Sequence, residues 1–354
     1  MKYKFFANSQ KTWQAMYEAI SSAKESIYLE VYIFQDDMVE FDFLSLLKEK
    51  ARTGLMIKII LDSFGSSGLS KKTITEIRES GVELLFLSYF LHRTHRKILV
   101  IDEKVAFIGG VNFHQHSSLW NDLAVLVRGK LVNSITRSFA KTYIECGGRD
   151  FSVVSKSVKK NKVNKINGNK KVRRKVKDWL IEHSPVKNNF RLKKIYINHL
   201  SMAKENVTLV TPYFMPKRWL VGLLHQAHLR GVNIHILVPE STDFYFVDRV
   251  NYFYMNKLSK LGVDFFLESQ MNHAKIMTID SKEAIVGSNN LDFLSFELNS
   301  EIGIFFNDKI AINRISNIIE GWKRESVLFD TKTYKMRWFD YIISPVFKIF
   351  SRIL

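Results

Sequence analysis

The chain has 354 residues, a formal net charge of +18 and a pI near 9.7. A hydrophobic share of 46% suffices for a sizeable core, and the length suits two domains or one large one. The single cysteine, Cys146, excludes an internal disulfide and offers no paired zinc spacing, while the excess of Lys and Arg favours an anionic partner: nucleic acid, an anionic membrane or a phosphorylated substrate.

The opening "MKYKFFANSQKTWQ" has no long apolar run after its lysines, so no secretory signal is expected. No window holds the ~18 uncharged apolar residues of a spanning helix. Short apolar runs at 26–34, 57–62, 82–87 and 97–101 read as strands. "FLSLLKEKAR", Phe43 to Arg52, has helical spacing with charges on one side. Strands alternating with helices predict an α/β fold with a mixed sheet covered by helices.

The run "HRKILVIDEKVAFIGGVN" begins at His95. Side chains at i and i+2 of a strand share a face, so His95 and Lys97 point the same way. Gly109 and Gly110 allow close backbone approach, and Asn112 offers an amide donor. His114 and His116, in "NFHQHSS", read either as a ligand pair or, the favoured expectation, as residues of an exposed turn. Next, Lys156 to Lys177 carries eleven Lys or Arg and no acid, which predicts a mobile linker or an exposed basic arm.

The second half repeats the first. Asn206 to Phe214 resembles Ser26 to Phe34, Leu229 to Pro239 resembles Arg52 to Asp62, and Leu261 to Ser269 resembles Ser80 to Ser88. His235 is expected in a strand. "HAKIMTIDSKEAIVGSNN" then begins at His273, 178 residues after His95, and Lys275, Asp280, Gly287 and Asn290 recur at that interval. Gly110 is answered by Ser288. The repeat means a duplicated unit, and two such patterns are hard to explain as satisfied core histidines. The C-terminal "YKMRWFDYIISPVFKIFSRIL" puts Arg337, Asp340, Ser344, Lys348 and Arg352 on one helical stripe, with Trp338, Phe339 and Phe350 elsewhere. It reads as an in-plane interfacial helix or as a helix packed on the domain.

Two such faces set together hold two imidazoles, two ammonium groups and two amides. Lys97 and Lys275 bind phosphate as point charges, and Asn112 and Asn290 donate hydrogen bonds. That set suits a pentavalent phosphorus centre. One His attacks phosphorus, and the other protonates the departing alkoxide and deprotonates the incoming alcohol or water. The lysines carry the positive charge, so no metal or cofactor is expected.

HxK, four residues, Asp, six residues, Gly-Gly or Gly-Ser, one residue, Asn, present twice, resembles the phospholipase D superfamily. The likeness runs from about Phe5 to Lys323. "SIYLEVYIFQDD" and "NNLDFLSFELNSE" resemble the bacterial cardiolipin synthase branch. The resemblance implies two α/β/α halves related by a pseudo-twofold axis, with the site at their interface. It implies a catalytic set of His95, Lys97, Asp102, His273, Lys275 and Asp280, with His95 as nucleophile and His273 as acid/base. It also implies that Asp122 and Glu301, 27 and 28 residues after the histidines, orient the imidazoles through the far ring nitrogen. Asp102 and Asp280 then read as structural partners rather than proton carriers. Leu294 stands where the branch commonly has Arg, which removes one phosphate contact.

The expected organisation is an N-terminal half over 1–150, a basic linker over 151–185, a C-terminal half over 186–330 and an amphipathic segment over 331–354. The expected activity is transfer of a phosphatidyl group to phosphatidylglycerol, giving cardiolipin, at the cytoplasmic face of a membrane without a spanning helix. Anionic phospholipid and the membrane surface are the expected partners. The alternatives are a phospholipase D that releases phosphatidic acid, a nuclease acting on nucleic acid, and a lipid-binding scaffold with a dead site.

Overall fold

Alternation of buried side chains builds the first sheet. The computed structural model describes residues 2–89, 92–150 and 178–334. The basic run at 156–177 and nearly all of the C-terminal segment therefore lie outside the described residues. In the first half the strands are β1 (Tyr3–Asn8), β2 (Ser26–Val31), β3 (Met56–Asp62), β4 (Glu83–Leu87), β5 (Ile98–Ile101), β6 (Val105–Gly109) and β7 (Asn121–Arg128). They form a seven-stranded sheet in the order β1-β7-β6-β5-β2-β3-β4. β2, β3 and β4 pair in parallel, and every other pair is antiparallel. The mixed sheet is the one that the strand and helix pattern implies.

Along β2, Ile27, Leu29 and Val31 pack on one face while Tyr28 packs on the other. β5 does the same with Leu99 and Ile101 against Ile98 and Val100. Both faces of these central strands are therefore covered, which explains their near-continuous apolar sequence. The outer face is covered by α1 (Ser9–Ser21), α2 (Phe43–Arg52) and α3 (Lys71–Glu79). Each begins at a side-chain cap: Asn8 accepts from Lys11 N at 2.8 Å, Asp42 from Ser45 N at 2.9 Å and Ser70 from Thr73 N at 3.0 Å. α2 occupies the span read from its periodicity. α4 (Lys130–Glu145) lies on the inner face.

The second half contains β8 (Trp179–His183), α5 (Arg191–Met202), β9 (Asn206–Val210), α6 (Arg218–Leu229), β10 (Asn233–Pro239), α7 (Tyr245–Ser259), β11 (Asp264–Glu268), β12 (Ile276–Ile279), β13 (Glu283–Gly287), α8 (Phe293–Glu297), β14 (Glu301–Phe306), α9 (Lys309–Arg324) and β15 (Val327–Leu328). Its sheet runs β8-β14-β13-β12-β9-β10-β11-β15, the first sheet's order with one short strand added. β8 falls inside the stretch expected as linker. It pairs with β14 as β1 pairs with β7, so this part of 151–185 belongs to the sheet. His235 lies in β10, as expected.

The two sheets share one core. Ile98, Ala106, Ile108 and Val125 of the first pack with Ile276, Val286, Ile302 and Ile304 of the second. Ile135 and Phe139 of α4 and Ile315 and Ile319 of α9 complete it. Tyr3 meets Phe306 edge-on across the seam, with ring centroids 5.1 Å apart. Each such fully buried side chain contributes roughly 1.5–3 kcal/mol. This shared core holds the two halves in one register, so groups from both can be positioned against each other.

Candidate active site

The site lies where corresponding ends of the two central hairpins meet. His95 and Lys97 precede β5, Asn112 follows β6, and Asp122 begins β7. Because β5, β6 and β7 run antiparallel, these four positions fall at one end of the sheet. The same reasoning collects His273, Lys275, Asn290 and Glu301 at one end of the other.

Backbone hydrogen bonds then stitch the halves together at that end. His95 N donates to Ser300 O at 2.9 Å, and Ser300 N donates to Arg93 O at 2.8 Å. On the other side Asn121 N donates to Met271 O at 2.9 Å, and His273 N donates to Asn121 O at 2.7 Å. Each histidine is thus laid beside the acidic residue of the opposite half. His95 Nδ1 is 3.1 and 3.2 Å from the two Glu301 oxygens, and His273 Nδ1 is 2.9 Å from Asp122 Oδ2. Both expected orienting acids do meet imidazoles, but crosswise. With Nδ1–H donated to a carboxylate, Nε2 keeps its lone pair for the cleft.

The two acids are held differently. Glu301 accepts from Ser295 Oγ at 2.7 Å and from the Ser288 hydroxyl. Asp122 accepts from Leu123 N at 2.6 Å and lies against Gly110, where a Cβ would come within 2.4 Å of Asp122 Oδ1. This accounts for Gly110 facing the shorter acid and Ser288 facing the longer one. Gly109 serves strand packing: a Cβ there would lie 2.3 Å from Leu123 O.

Lys97 Nζ donates to His95 O at 2.8 Å and lies 5.3 Å from the Tyr32 ring, while Lys275 Nζ donates to His273 O. His95, Lys97, His273 and Lys275 are all buried. Burial, with the neighbouring Lys97 charge, pushes His95 down to about 4 against the pull of Glu301. Burial and the two lysine charges push His273 well below its ordinary value. Burial brings Lys97 down to about 7 and Lys275 down to about 8. Asp122 is raised to about 6 by burial, despite Lys275. For Glu301, burial pushes upward, but His95, Lys97 and Ser288 outweigh it and hold the carboxyl below its usual range. Burial in the cleft therefore favours neutral imidazoles and makes the charge of both lysines costly unless an anion meets them.

Asn112 Oδ1 accepts from Ile33 N at 3.3 Å. Asn290 N donates to Ser295 Oγ at 2.9 Å, and its amide acts on Asp292, leaving Oδ1 buried without a partner among the described residues. The two asparagines, equivalent in sequence, are differently engaged.

Asp102 and Asp280 do not belong to the cleft. Asp102 sits at the far end of β5, roughly 20 Å along the strand from His95. Its carboxylate accepts from the backbone N–H groups of Lys24, Glu25 and Ser26, the nearest at 2.7 Å. Asp280 accepts likewise from Lys204, Glu205 and Asn206, the nearest at 2.8 Å. Both aspartates have a left-handed backbone, with φ of 51°. They tie each motif strand to the start of its neighbour, a structural role, and are corrected out of the catalytic set.

Two further side chains were not expected here. His114 is buried rather than at an exposed turn; His116 is exposed. Trp120 meets His114, His116 and His273 with ring centroids 5.7, 5.4 and 5.5 Å away. Only the position of His114 two residues after Asn112 hinted at it. Leu294 is 40% exposed on α8.

A family model described as "Cardiolipin synthase, PLD-like domain" matches residues 16–143 and again 196–322. Among curated proteins, the chain is 26% identical to cardiolipin synthase 2 of Bacillus anthracis, over 98% of this chain and 70% of that one. It is 30% identical to a cardiolipin synthase of Clostridium perfringens, over 87% of this chain and 67% of that one. Among solved structures, phosphatidylserine synthase of Haemophilus influenzae superposes with a TM-score of 0.76 at 14% identity, covering 99% of this chain and 93% of the other. That likeness bears on the fold.

Proposed function

Since the chain belongs to the cardiolipin synthase family of phospholipase D-like proteins, matched in both halves, we propose that it transfers a phosphatidyl group to phosphatidylglycerol and so makes cardiolipin. The observation that carries this reading is the pair of crossed histidine–carboxylate couples with a lysine beside each. His95 Nε2 attacks the donor phosphorus. The bond from phosphorus to the headgroup glycerol oxygen breaks, and His273 delivers a proton to that oxygen. In the second step His273 takes the proton from a hydroxyl of the acceptor headgroup. The new phosphorus–oxygen bond forms as the phosphorus–nitrogen bond breaks.

Lys97 and Lys275 supply the charge that the equatorial oxygens need. An arriving phosphodiester draws protons onto the depressed lysines and onto His273, so substrate binding itself charges the acid/base while His95 stays neutral for attack. Among the described residues no helix is long and apolar enough to cross a membrane. We place the protein at the membrane surface, with the +18 net charge supporting attraction to anionic lipid. The domain division set out from the sequence is retained as a proposal, with the strand at Trp179–His183 moved into the C-terminal half.

Product analysis by mass spectrometry tests the reading. Protein mixed with phosphatidylglycerol vesicles is expected to yield cardiolipin and glycerol, and His95→Ala and His273→Ala to yield neither. Phosphatidic acid as the sole product would make it a hydrolase. No lipid turnover, with cleavage of labelled DNA or RNA, would replace the reading by a nuclease.

A further inference from the structure

The site contains a third imidazole with no task in the scheme above. His114 is 7% exposed, and Nε2 is sealed from solvent without a hydrogen-bond partner among the described residues. An unmet buried polar nitrogen costs about 1–3 kcal/mol, so its retention calls for a partner, which a substrate hydroxyl supplies once the ring turns to uncover that nitrogen. His114 has extended backbone, φ −156° and ψ 141°, two residues beyond Asn112, so the two side chains leave the chain on one side. Trp120 bridges its ring to that of His273, and it immediately precedes the Asn121–Asp122 segment that holds His273.

The position breaks the internal symmetry. Its equivalent in the second half is Asp292, whose carboxylate is committed to capping α8 through Ser295 N at 2.7 Å. His114 caps nothing. An imidazole with an uncommitted Nε2 therefore stands beside the ring that packs on His273, the histidine assigned to the alcohol, and its counterpart in the second half is an aspartate. A neutral ring brings one donor and one acceptor, which matches a hydroxyl and adds no charge for the phosphate that the lysines already hold.

We propose, resting on the phosphatidyltransferase reading, that His114 binds the hydroxyl next to the reacting oxygen of a vicinal diol, and so selects glycerol-type alcohols over simple alcohols and water. His273 handles the proton of the reacting hydroxyl; His114 takes its neighbour. A site that pairs a substrate hydroxyl discriminates against an alcohol lacking it, because the ring then stays unpaired.

The test offers phosphatidylglycerol vesicles equal concentrations of 1,2-propanediol and 1-propanol, with products separated by mass spectrometry. The native protein is expected to favour the diol adduct. His114→Phe, which keeps a ring against Trp120, is expected to lower the diol-to-propanol ratio roughly tenfold, the size of one hydrogen bond, by raising KM for the diol. It is also expected to form less cardiolipin relative to phosphatidic acid. His114→Gln, which keeps a donor and an acceptor, is expected to recover much of the ratio. Equal ratios in native protein and His114→Phe would overturn the assignment and leave the transferase reading standing. Absence of every phosphatidyl product with native protein would overturn both.

Discussion

Each of the two acids acts on one identified imidazole, so single substitutions separate the nucleophile from the acid/base. Glu301→Gln keeps the shape but loses the charge opposite His95 Nδ1. Formation of the phosphatidyl adduct is expected to slow roughly 10²–10⁴-fold, the usual range for an oriented acid–base group. Asp122→Asn, which faces His273, is expected to slow both steps with phosphatidylglycerol but to spare adduct formation from a p-nitrophenyl ester, whose leaving group needs no proton. Rapid-quench measurement of adduct formation from that ester distinguishes these, and equal slowing by the two variants would contradict the crossed pairing. A pH profile reads the lysines. With Lys97 at about 7 and Lys275 at about 8, raising pH removes the cations that meet the phosphate. Therefore kcat/KM is expected to fall above pH 7 to 8, while kcat holds to higher pH because bound phosphate restores the charge. Asp102 belongs to the opposite class. Asp102→Ala leaves three backbone N–H groups without their acceptor and is expected to cost ~1–3 kcal/mol, read as a lowered Tm. Specific activity of the folded fraction is expected to survive.

Strand geometry explains which residues could be read directly and which could not. His95 and Lys97, like His273 and Lys275, share a face by simple alternation, and the structure keeps them together. The runs at 57–62, 82–87 and 97–101 correspond to β3, β4 and β5. The edge strand β1 escaped because its place comes from pairing with β7, whereas β7 carries its own apolar run, "LAVLV" at 123–127, which lies outside the runs read as strands. His114 escaped for a related reason: histidine followed by Gln, His and Ser looks polar, and burial against Trp120 is a tertiary contact. The Gly110 and Ser288 exchange makes an element-level test. Gly110→Ser alone drives a Cβ into Asp122 and is expected to disturb His273 across the seam, with loss of activity. Gly110→Ser combined with Asp122→Glu copies the second half's own arrangement, and is expected to recover at least tenfold of that loss. Additive losses in assays of the three variants would contradict this account of the two loops.

Over the whole molecule, duplication is what the chain displays most openly, and exchange between the copies is what it hides. Spacings of 27 and 28 residues make each acid look like the partner of its own histidine. Only the Thr94–Ser300 and Asn121–Asn272 bridges, formed when the sheets pack, reveal that the partners are traded. The consequence is that neither half contains a complete histidine–acid couple, and the shared core of β5, β6, β12, β13 and β14 is itself part of the proposed catalytic apparatus. The central claim is that His95 Nε2 carries the phosphatidyl group while His273, oriented from the first half, handles the alcohol. It is tested most directly by trapping the adduct. The p-nitrophenyl ester of phosphatidic acid needs no proton for its leaving group, so a His273→Asn variant is expected to release one equivalent of nitrophenolate and stall. Peptide mass spectrometry at alkaline quench is expected to find the phosphatidyl mass on the peptide containing His95. An adduct on any other residue, or an undiminished burst in His95→Asn, would contradict the account.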